Sequence, residues 1–175
     1  MEGLEISHIK QVSRSEIPLV LDFTMEVIRE VFPMFDPQIP PKDLQKLEET
    51  YLLPERAAFF AAYSKEGKVV GTIAARPYDG RIPQLMGCYD LTTTTEIVRC
   101  FVSSEFRRTG LGSKLVAKLT RFCKDVGYET LYLHTHQFLP GAVDFWQTQG
   151  FVITCVGNDP KWQTVHMDRS VSGQR

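Results

Sequence analysis

Two arginines, two glycines and a lysine stand close together just after an apolar, strand-like run. The cluster is Arg107-Arg108-Thr109-Gly110-Leu111-Gly112-Ser113-Lys114, and the run before it extends from Glu96 to Val102. An amphipathic pattern begins inside the cluster, so we expect a strand, a short turn and a helix N-terminus. The first N–H groups of a helix lack internal partners and carry the positive end of the helix dipole. The spacing therefore predicts an anion site.

The residue types of this cluster suit phosphate oxygens. Gly110 and Gly112 let a ligand approach the backbone without a Cβ in the way. Arg107, Arg108 and Lys114 add charged donors. The alternative is a basic first turn on a surface helix, but there the cations would oppose the dipole. We therefore expect a ligand that carries a pyrophosphate.

Two common phosphate loops do not fit this cluster. The chain has no G-x-x-x-x-G-K-[ST] run, and Gly110-Leu111-Gly112 lacks the third glycine of a dinucleotide fingerprint. The pattern that stands here, Arg107-x-x-Gly110-x-Gly112, resembles the acetyl-CoA loop of the GNAT superfamily of N-acetyltransferases. With the order of the neighbouring segments, the resemblance covers about residues 57–168. It covers the N-terminal third only loosely.

A second segment resembles the same superfamily. Ala142-Val143-Asp144-Phe145-Trp146-Gln147-Thr148-Gln149-Gly150-Phe151 is similar to its A-x-x-x-Y-x-x-x-G-F signature. Trp146 stands where the family often has the Tyr that protonates the leaving thiolate, and an indole N–H is not a practical acid. Unassisted departure of the thiolate, water or a nearby Tyr such as Tyr132 stay open as substitutes. We expect Phe145 to pack in the core and against the cofactor.

The resemblance also implies roles for the strand before the cluster. Glu96-Ile97-Val98-Arg99-Cys100 matches the E-I-V-x-C motif that holds the catalytic Glu in family members with a strand carboxylate as base. Glu96 would take a proton from the acceptor amine, and the alternative is a strand start that faces water. The backbone of Cys100, Phe101 and Val102 would pair with the pantetheine arm and polarise the thioester carbonyl.

His134 and His136 end a predicted strand at the place where, by the resemblance, the active-site cleft opens. Histidine titrates near neutrality, so His134 is a second candidate base or substrate contact. Residues i and i+2 share a strand face and could bind a metal as a pair, but no third ligand is evident and we expect no metal. A polar strand end is the alternative. Asp36, Tyr78, Asp79 and Arg81 lie in loops that border the acceptor cleft in similar proteins, with plain solvent exposure as their alternative.

The composition is that of an ordinary soluble globular chain. Its 175 residues are 43% hydrophobic and 23% charged with a net charge of −1, which argues against nucleic-acid and membrane partners. No apolar run approaches the ~20 residues that span a bilayer. An acidic start without a signal pattern and four cysteines without a CxxC pair favour a cytoplasmic location. We expect one domain over residues 1–175.

The periodicity of the chain predicts both helices and strands. Strands are expected over residues 5–12, 57–63, 69–75, 96–102 and 130–134, and near 165–167. Helices are expected from Ser15 to Pro33 and over residues 43–51, 110–126 and 140–149. These elements predict an α/β fold, an α+β sandwich. The resemblance implies a mixed, mostly antiparallel central sheet flanked by helices.

Together these features predict an N-acetyltransferase. It would bind acetyl-CoA between two splayed central strands and pass the acetyl group directly to a primary amine of a small molecule or peptide, with Glu96 as base. A regulatory module that binds acyl-CoA without turnover stays open, as does a phosphate-binding α/β domain unrelated to acyl transfer. A homodimer also stays open.

Overall fold

The computed structural model describes residues 4–173, in which the chain forms two compact units. Unit 1 contains the chain up to residue 76 together with residues 98–119, and unit 2 contains residues 77–97 together with the chain from residue 120 onward. Each unit is thus built from two separate segments. A single domain over residues 1–175 stays a prediction.

Unit 1 is built on an antiparallel sheet. Its strands are β1 (Ile6–Gln11), β2 (Ala58–Ser64), β3 (Val69–Pro77) and the second half of β4 (Thr94–Val102), in the order β1-β2-β3-β4. The pairs β1–β2 and β2–β3 are antiparallel. Every residue of β2 is buried, so both faces of this strand are covered although its two neighbours are antiparallel.

The helices of unit 1 are α1 (Ile17–Val31), α2 (Lys42–Gln45) and the first part of α3 (Leu111–Asp125). A π-helical turn, Glu48–Leu52, follows α2. Gly71 of β3 provides room for α3, because a Cβ there would lie 3.1 Å from Leu111 Cδ2 and 3.1 Å from Leu115 Cδ1. A side chain at this position would therefore require the Leu111 and Leu115 side chains of α3 to shift by a few tenths of an ångström.

Unit 2 holds the parallel part of the sheet. The first half of β4 pairs in parallel with β5 (Thr130–His136), which pairs antiparallel with β7 (Thr164–Ser170), and β7 pairs antiparallel with β6 (Val152–Val156). The helix α4 (Ala142–Thr148) precedes β6. One parallel pair among antiparallel ones confirms the predicted α/β class with a mixed, mostly antiparallel sheet.

The starts of two predicted helices were wrong, and a third predicted helix is divided in two. Ser13, not Ser15, begins the first helical segment, because its N–H and Oγ both donate to Glu16 Oε1, at 3.0 and 2.7 Å, around a short 3-10 turn. The helix predicted over residues 43–51 is divided into α2 and the π-helical turn. The last helix begins after Gly141, whose φ of 73° is left-handed and cannot continue a right-handed helix.

Candidate active site

The carboxylate of Glu96 is the centre of a buried polar cluster in unit 2. Its side chain is 0% exposed on β4, opposite Tyr132 of β5. Arg81 Nη1 donates to Oε1 and Nη2 to Oε2, both at 2.8 Å, and Arg81 Nη1 also lies 3.1 Å from Asp79 Oδ1. Glu96 therefore does not face water, and the loop residues Arg81 and Asp79 belong to its surroundings.

His134 is brought to the same cluster by β5. Its Nδ1 lies 3.7 Å from Glu96 Oε2 and, among residues 4–173, has no hydrogen-bond partner. The side chain is 32% exposed, yet the surrounding atoms desolvate it and lower its pKa to about 4, against the opposing effect of the Glu96 charge. The imidazole is therefore neutral near pH 7.

Tyrosines and further histidines surround these groups. The Tyr132 hydroxyl lies 2.7 Å from His166 Nδ1, and the Tyr89 hydroxyl donates to Asp168 Oδ2 at 2.7 Å. Burial raises the pKa of Tyr132, whose side chain is fully buried. A phenol that is buried and already bonded to His166 is a poor substitute for the acid that Trp146 cannot supply.

Trp146 and Phe145 lie on α4. The Trp146 ring is 7% exposed, and its centroid is 4.9 Å from that of Phe145 and 5.2 Å from that of Phe151. Both contacts are edge-on arrangements typical of aromatic packing. The observed contacts of Trp146 are thus those of a core residue.

The predicted phosphate cluster forms the expected turn and helix start in unit 1. Arg108 and Gly110 have left-handed φ values of 63° and 86°, and a Cβ at Gly110 would meet open space. Lys114 N donates to Gly110 O at 3.1 Å, which closes the first turn of α3. The turn is thus open to an approaching ligand at its glycine.

The side chains of this cluster divide into exposed and inward-facing groups. Arg107, Arg108 and Lys114 are exposed and make no ion pair within the described part of the chain. Thr109 Oγ1 donates to Phe106 O at 2.5 Å, and the Leu111 side chain is 1% exposed. Only the backbone of Leu111 could therefore contact a phosphate. Gly112 is half-buried and Ser113 is exposed at the start of α3.

The strand segment before the cluster has an unusual backbone. Arg99 has a left-handed φ of 55° inside β4, and its carbonyl accepts a hydrogen bond from Thr72 Oγ1 at 2.8 Å. Its guanidinium binds both oxygens of Asp43, at 2.6 and 3.0 Å, and Tyr51 donates to the same carboxylate. This buried network, which no sequence motif indicated, directly precedes Cys100, Phe101 and Val102.

The Cys100 thiol is not poised for chemistry. Although Cys100 is partly exposed by surface area, the surrounding protein desolvates its thiol and raises its pKa to about 12. A thiolate is the nucleophilic form of cysteine, so an acyl-cysteine at this position is disfavoured. The strand can still contribute through its backbone.

Among residues 4–173, no group of three or more His, Cys, Asp and Glu side chains is arranged to hold a metal ion. Within the same residues, no helix combines the length and apolar character that crossing a membrane requires.

Comparison with known proteins identifies the family. The sequence model of the Acetyltransferase (GNAT) family matches residues 21–151, and the chain belongs to this family. Human N-acetyltransferase 8 is 32% identical over 109 residues, which cover 62% of this chain and 44% of that protein. Mouse N-acetyltransferase 8 is 34% identical, again over 62% of this chain and 44% of the relative. The match thus spans less than half the length of these relatives.

Solved structures show the same fold. An acetyltransferase of the GNAT family from Staphylococcus aureus Mu50 superposes with a TM-score of 0.75 at 22% identity, over 95% of this chain and 99% of that one. Spermidine N-acetyltransferase from Vibrio cholerae, in complex with CoA and spermine, gives a TM-score of 0.69 at 12% identity, over 95% and 96% of the two chains. At these identities the likeness concerns the fold.

Proposed function

We propose that this chain is an acetyl-CoA-dependent N-acetyltransferase that moves the acetyl group directly to a primary amine of a small molecule or peptide. The observation that carries the proposal is the exposed, cationic turn at the start of α3, which lies inside the residues 21–151 matched by the GNAT family. The family match and the named relatives support the same acyltransferase class.

The turn supports a donor with a pyrophosphate. Arg107, Arg108 and Lys114 are exposed without ion-pair partners in the described residues, at the positive end of the α3 dipole. Cations at this end are repelled by the positive end of the dipole and by one another, and a bound anion offsets this repulsion. The 3′-phosphate ADP portion of coenzyme A supplies such an anion, and the spermidine N-acetyltransferase with this fold was solved with CoA.

The cluster around Glu96 supports a cationic acceptor. Glu96, Asp79 and Asp168 bring three carboxylates to unit 2, and Arg81 pairs with the first two. The histidines there are kept neutral by burial, so they do not offset the negative charge. An amine that arrives as an ammonium is attracted to such a cluster, whereas an anionic acceptor is repelled. Spermine in the related structure is an amine of this kind.

The proposed reaction needs no covalent enzyme intermediate. The neutral amine attacks the thioester carbonyl carbon, a C–N bond forms, the nitrogen loses a proton and the C–S bond breaks. The Glu96 cluster accepts the proton, and backbone groups of β4 polarise the carbonyl. The raised pKa of Cys100 argues against a competing acyl-cysteine route.

The decisive experiment measures release of free CoA thiol from acetyl-CoA with a panel of polyamines, aminoglycosides, amino acids and lysine-bearing peptides. Release that depends on one class of amine supports the proposal and narrows the acceptor. A panel without release, combined with CoA binding by calorimetry, supports instead the regulatory module, which Trp146 in place of the family's Tyr favours.

The proposal also covers the cellular location and the oligomeric state of the protein. The four cysteines are free thiols, which suits a reducing, cytoplasmic compartment. Fractionation of cells that express the tagged full-length protein tests this location. Sedimentation of the purified protein distinguishes a monomer from the homodimer that the sequence left open.

A further inference from the structure

We propose that His134 Nε2 is the atom that takes the proton from the acceptor amine, and that Glu96 and Arg81 are positioning residues behind it. The inference rests on the proposed acetyl transfer and names the group that does its proton transfer. It replaces a carboxylate base with an imidazole that a carboxylate orients.

The first support is accessibility. The Glu96 side chain is 0% exposed, and each of its oxygens already accepts a hydrogen bond from Arg81. The His134 side chain is 32% exposed, although its Nδ1 is buried. A substrate can therefore reach the imidazole, whereas the carboxylate beside it is covered, and Nε2 is the ring nitrogen that is not among the buried atoms without a partner.

The second support is the tautomer that the surroundings favour. Nδ1 of His134 lies 3.7 Å from Glu96 Oε2 with no hydrogen-bond partner in the described residues. A lone pair on Nδ1 would face a negative carboxylate, whereas an N–H there is attracted to it. The proton of the neutral ring therefore belongs on Nδ1, which leaves the lone pair on Nε2. At 3.7 Å the two atoms are beyond hydrogen-bond distance, and we expect them to close into a hydrogen bond when substrate binds.

The third support is the rigidity of the carboxylate. The bidentate guanidinium of Arg81 fixes the orientation of the Glu96 carboxylate, and Asp79 accepts a further hydrogen bond from Nη1 of the same guanidinium. The charge of Glu96 then stabilises the imidazolium that forms when Nε2 accepts a proton. This is the same role that a buried carboxylate has beside the histidine of a hydrolase triad.

The charges that face His134 come from four elements. Glu96 on β4 favours its protonation, whereas Arg81 in the loop, His136 on the same strand and His166 on β7 oppose it. Together with burial, these groups keep the ring neutral near pH 7, so Nε2 is available as an acceptor. An ammonium that the carboxylates attract must then lose its first proton to water before it attacks, since a weak base does not deprotonate an ammonium in the ground state.

The proton balance of the step is closed. Attack by the neutral amine forms the C–N bond and makes its nitrogen strongly acidic, and that nitrogen passes its proton to Nε2. The C–S bond breaks with its electron pair on sulfur, and the thiolate takes the proton from Nε2. One amide and one thiol result, and His134 returns to its starting state.

The test compares His134→Ala with wild type in the thiol-release assay, using the best amine of the panel. We expect kcat to fall about 100-fold or more with the KM for acetyl-CoA unchanged, and free imidazole added at millimolar concentration to restore part of kcat. If the variant had lost activity because it no longer folds, added imidazole would not restore kcat. His8→Ala, which removes an imidazole stacked on Tyr63 in unit 1, is the control and should show neither effect.

The second arm removes the carboxylate charge. In Glu96→Gln the tautomer is no longer held, so kcat falls, and the double variant with His134→Ala should lose no more than His134→Ala alone. Full kcat in His134→Ala, or a loss in the double variant equal to the product of the single losses, overturns the inference. A wild-type protein that acetylates no amine would instead overturn the proposed function.

Discussion

The guanidinium of Arg81 donates to both carboxylate oxygens of Glu96, at 2.8 Å each, and so supplies the counter-charge of a side chain that is 0% exposed. Removing one member of a buried ion pair leaves the other without a counter-charge. Loss of either partner is therefore expected to lower stability, and unfolding experiments measure this effect without an activity assay.

Arg81→Gln is expected to lower the free energy of unfolding by about 2 kcal/mol, less than the loss of a wholly buried pair because Arg81 is 40% exposed. The buried carboxylate of Glu96 loses its strongest donor. Urea unfolding of the single variants and of the double variant Arg81→Gln with Glu96→Gln measures this effect. The double variant should recover part of the loss, and strict additivity would contradict the pairing.

The turn at the start of α3 predicts a change in cofactor binding without a loss of stability. Arg107→Ala together with Arg108→Ala should raise the dissociation constant of acetyl-CoA at least 10-fold and weaken its dependence on salt, because two charged phosphate donors are lost. Their exposed side chains make no ion pair in the described residues and lie at the positive end of the helix dipole, so the unfolding midpoint of the free protein should not fall. Calorimetric titration with Lys124→Ala as control tests this, and an unaltered constant would remove the turn from the site.

Gly71 predicts a steric effect on the same turn. A Cβ at this position would lie 3.1 Å from side-chain atoms of Leu111 and Leu115, so Gly71→Ala should displace the start of α3. Overpacking of this kind costs about 1–3 kcal/mol. Thermal unfolding and acetyl-CoA titration should both show a loss. Adding Leu111→Val, which shortens one of the two side chains, should restore part of each, and a Gly71→Ala protein that behaves as wild type would contradict the contact.

Two variants of Arg99 can separate the cost of its strained backbone from the contribution of its ion pair. Its φ of 55° costs a non-glycine residue about 1 kcal/mol, and its bonds to Asp43 hold it there. Both Arg99→Ala and Arg99→Gly lose the pair, but glycine adopts this φ without strain. Arg99→Gly should therefore be the more stable of the two by about 1 kcal/mol in denaturant unfolding. Equal stabilities would show that the backbone is not strained there.

The buried histidines predict a loss of stability in mild acid. Burial lowers the pKa of His134, His136 and His166 below the unfolded value, in His134 to about 4. Their contribution to stability is complete above pH ~6.5 and is lost as pH falls through their lowered pKa values, because the unfolded chain binds protons first. Urea midpoints at a series of pH values should show this slope. His134→Asn should reduce the slope, and a variant with the slope of the wild type would contradict the prediction.

The sequence predicted the class of fold and most of its elements. Hydrophobic periodicity, and the glycine and proline residues at the ends of helices and strands, are local properties of the chain. The extent of α3 and the turn before it follow from Gly110 and a regular apolar stripe, and both were confirmed. The boundaries of α1 and α4 were less accurate, because they depend on a side-chain bond to Glu16 and on the backbone of Gly141. Such contacts leave little trace in the amino-acid pattern.

By itself, the sequence determined which residues could bind a pyrophosphate, because those residues are consecutive and share one turn. Only the tertiary structure decided which side chains stand beside Glu96, because Arg81 and His134 are 15 and 38 positions away in the chain and reach it through the loop after β3 and the pairing of β5 with β4. No pattern in the sequence predicted the ion pair between Arg99 and Asp43. Long-range ion pairs follow from how strands and loops meet in space, and no local spacing encodes them.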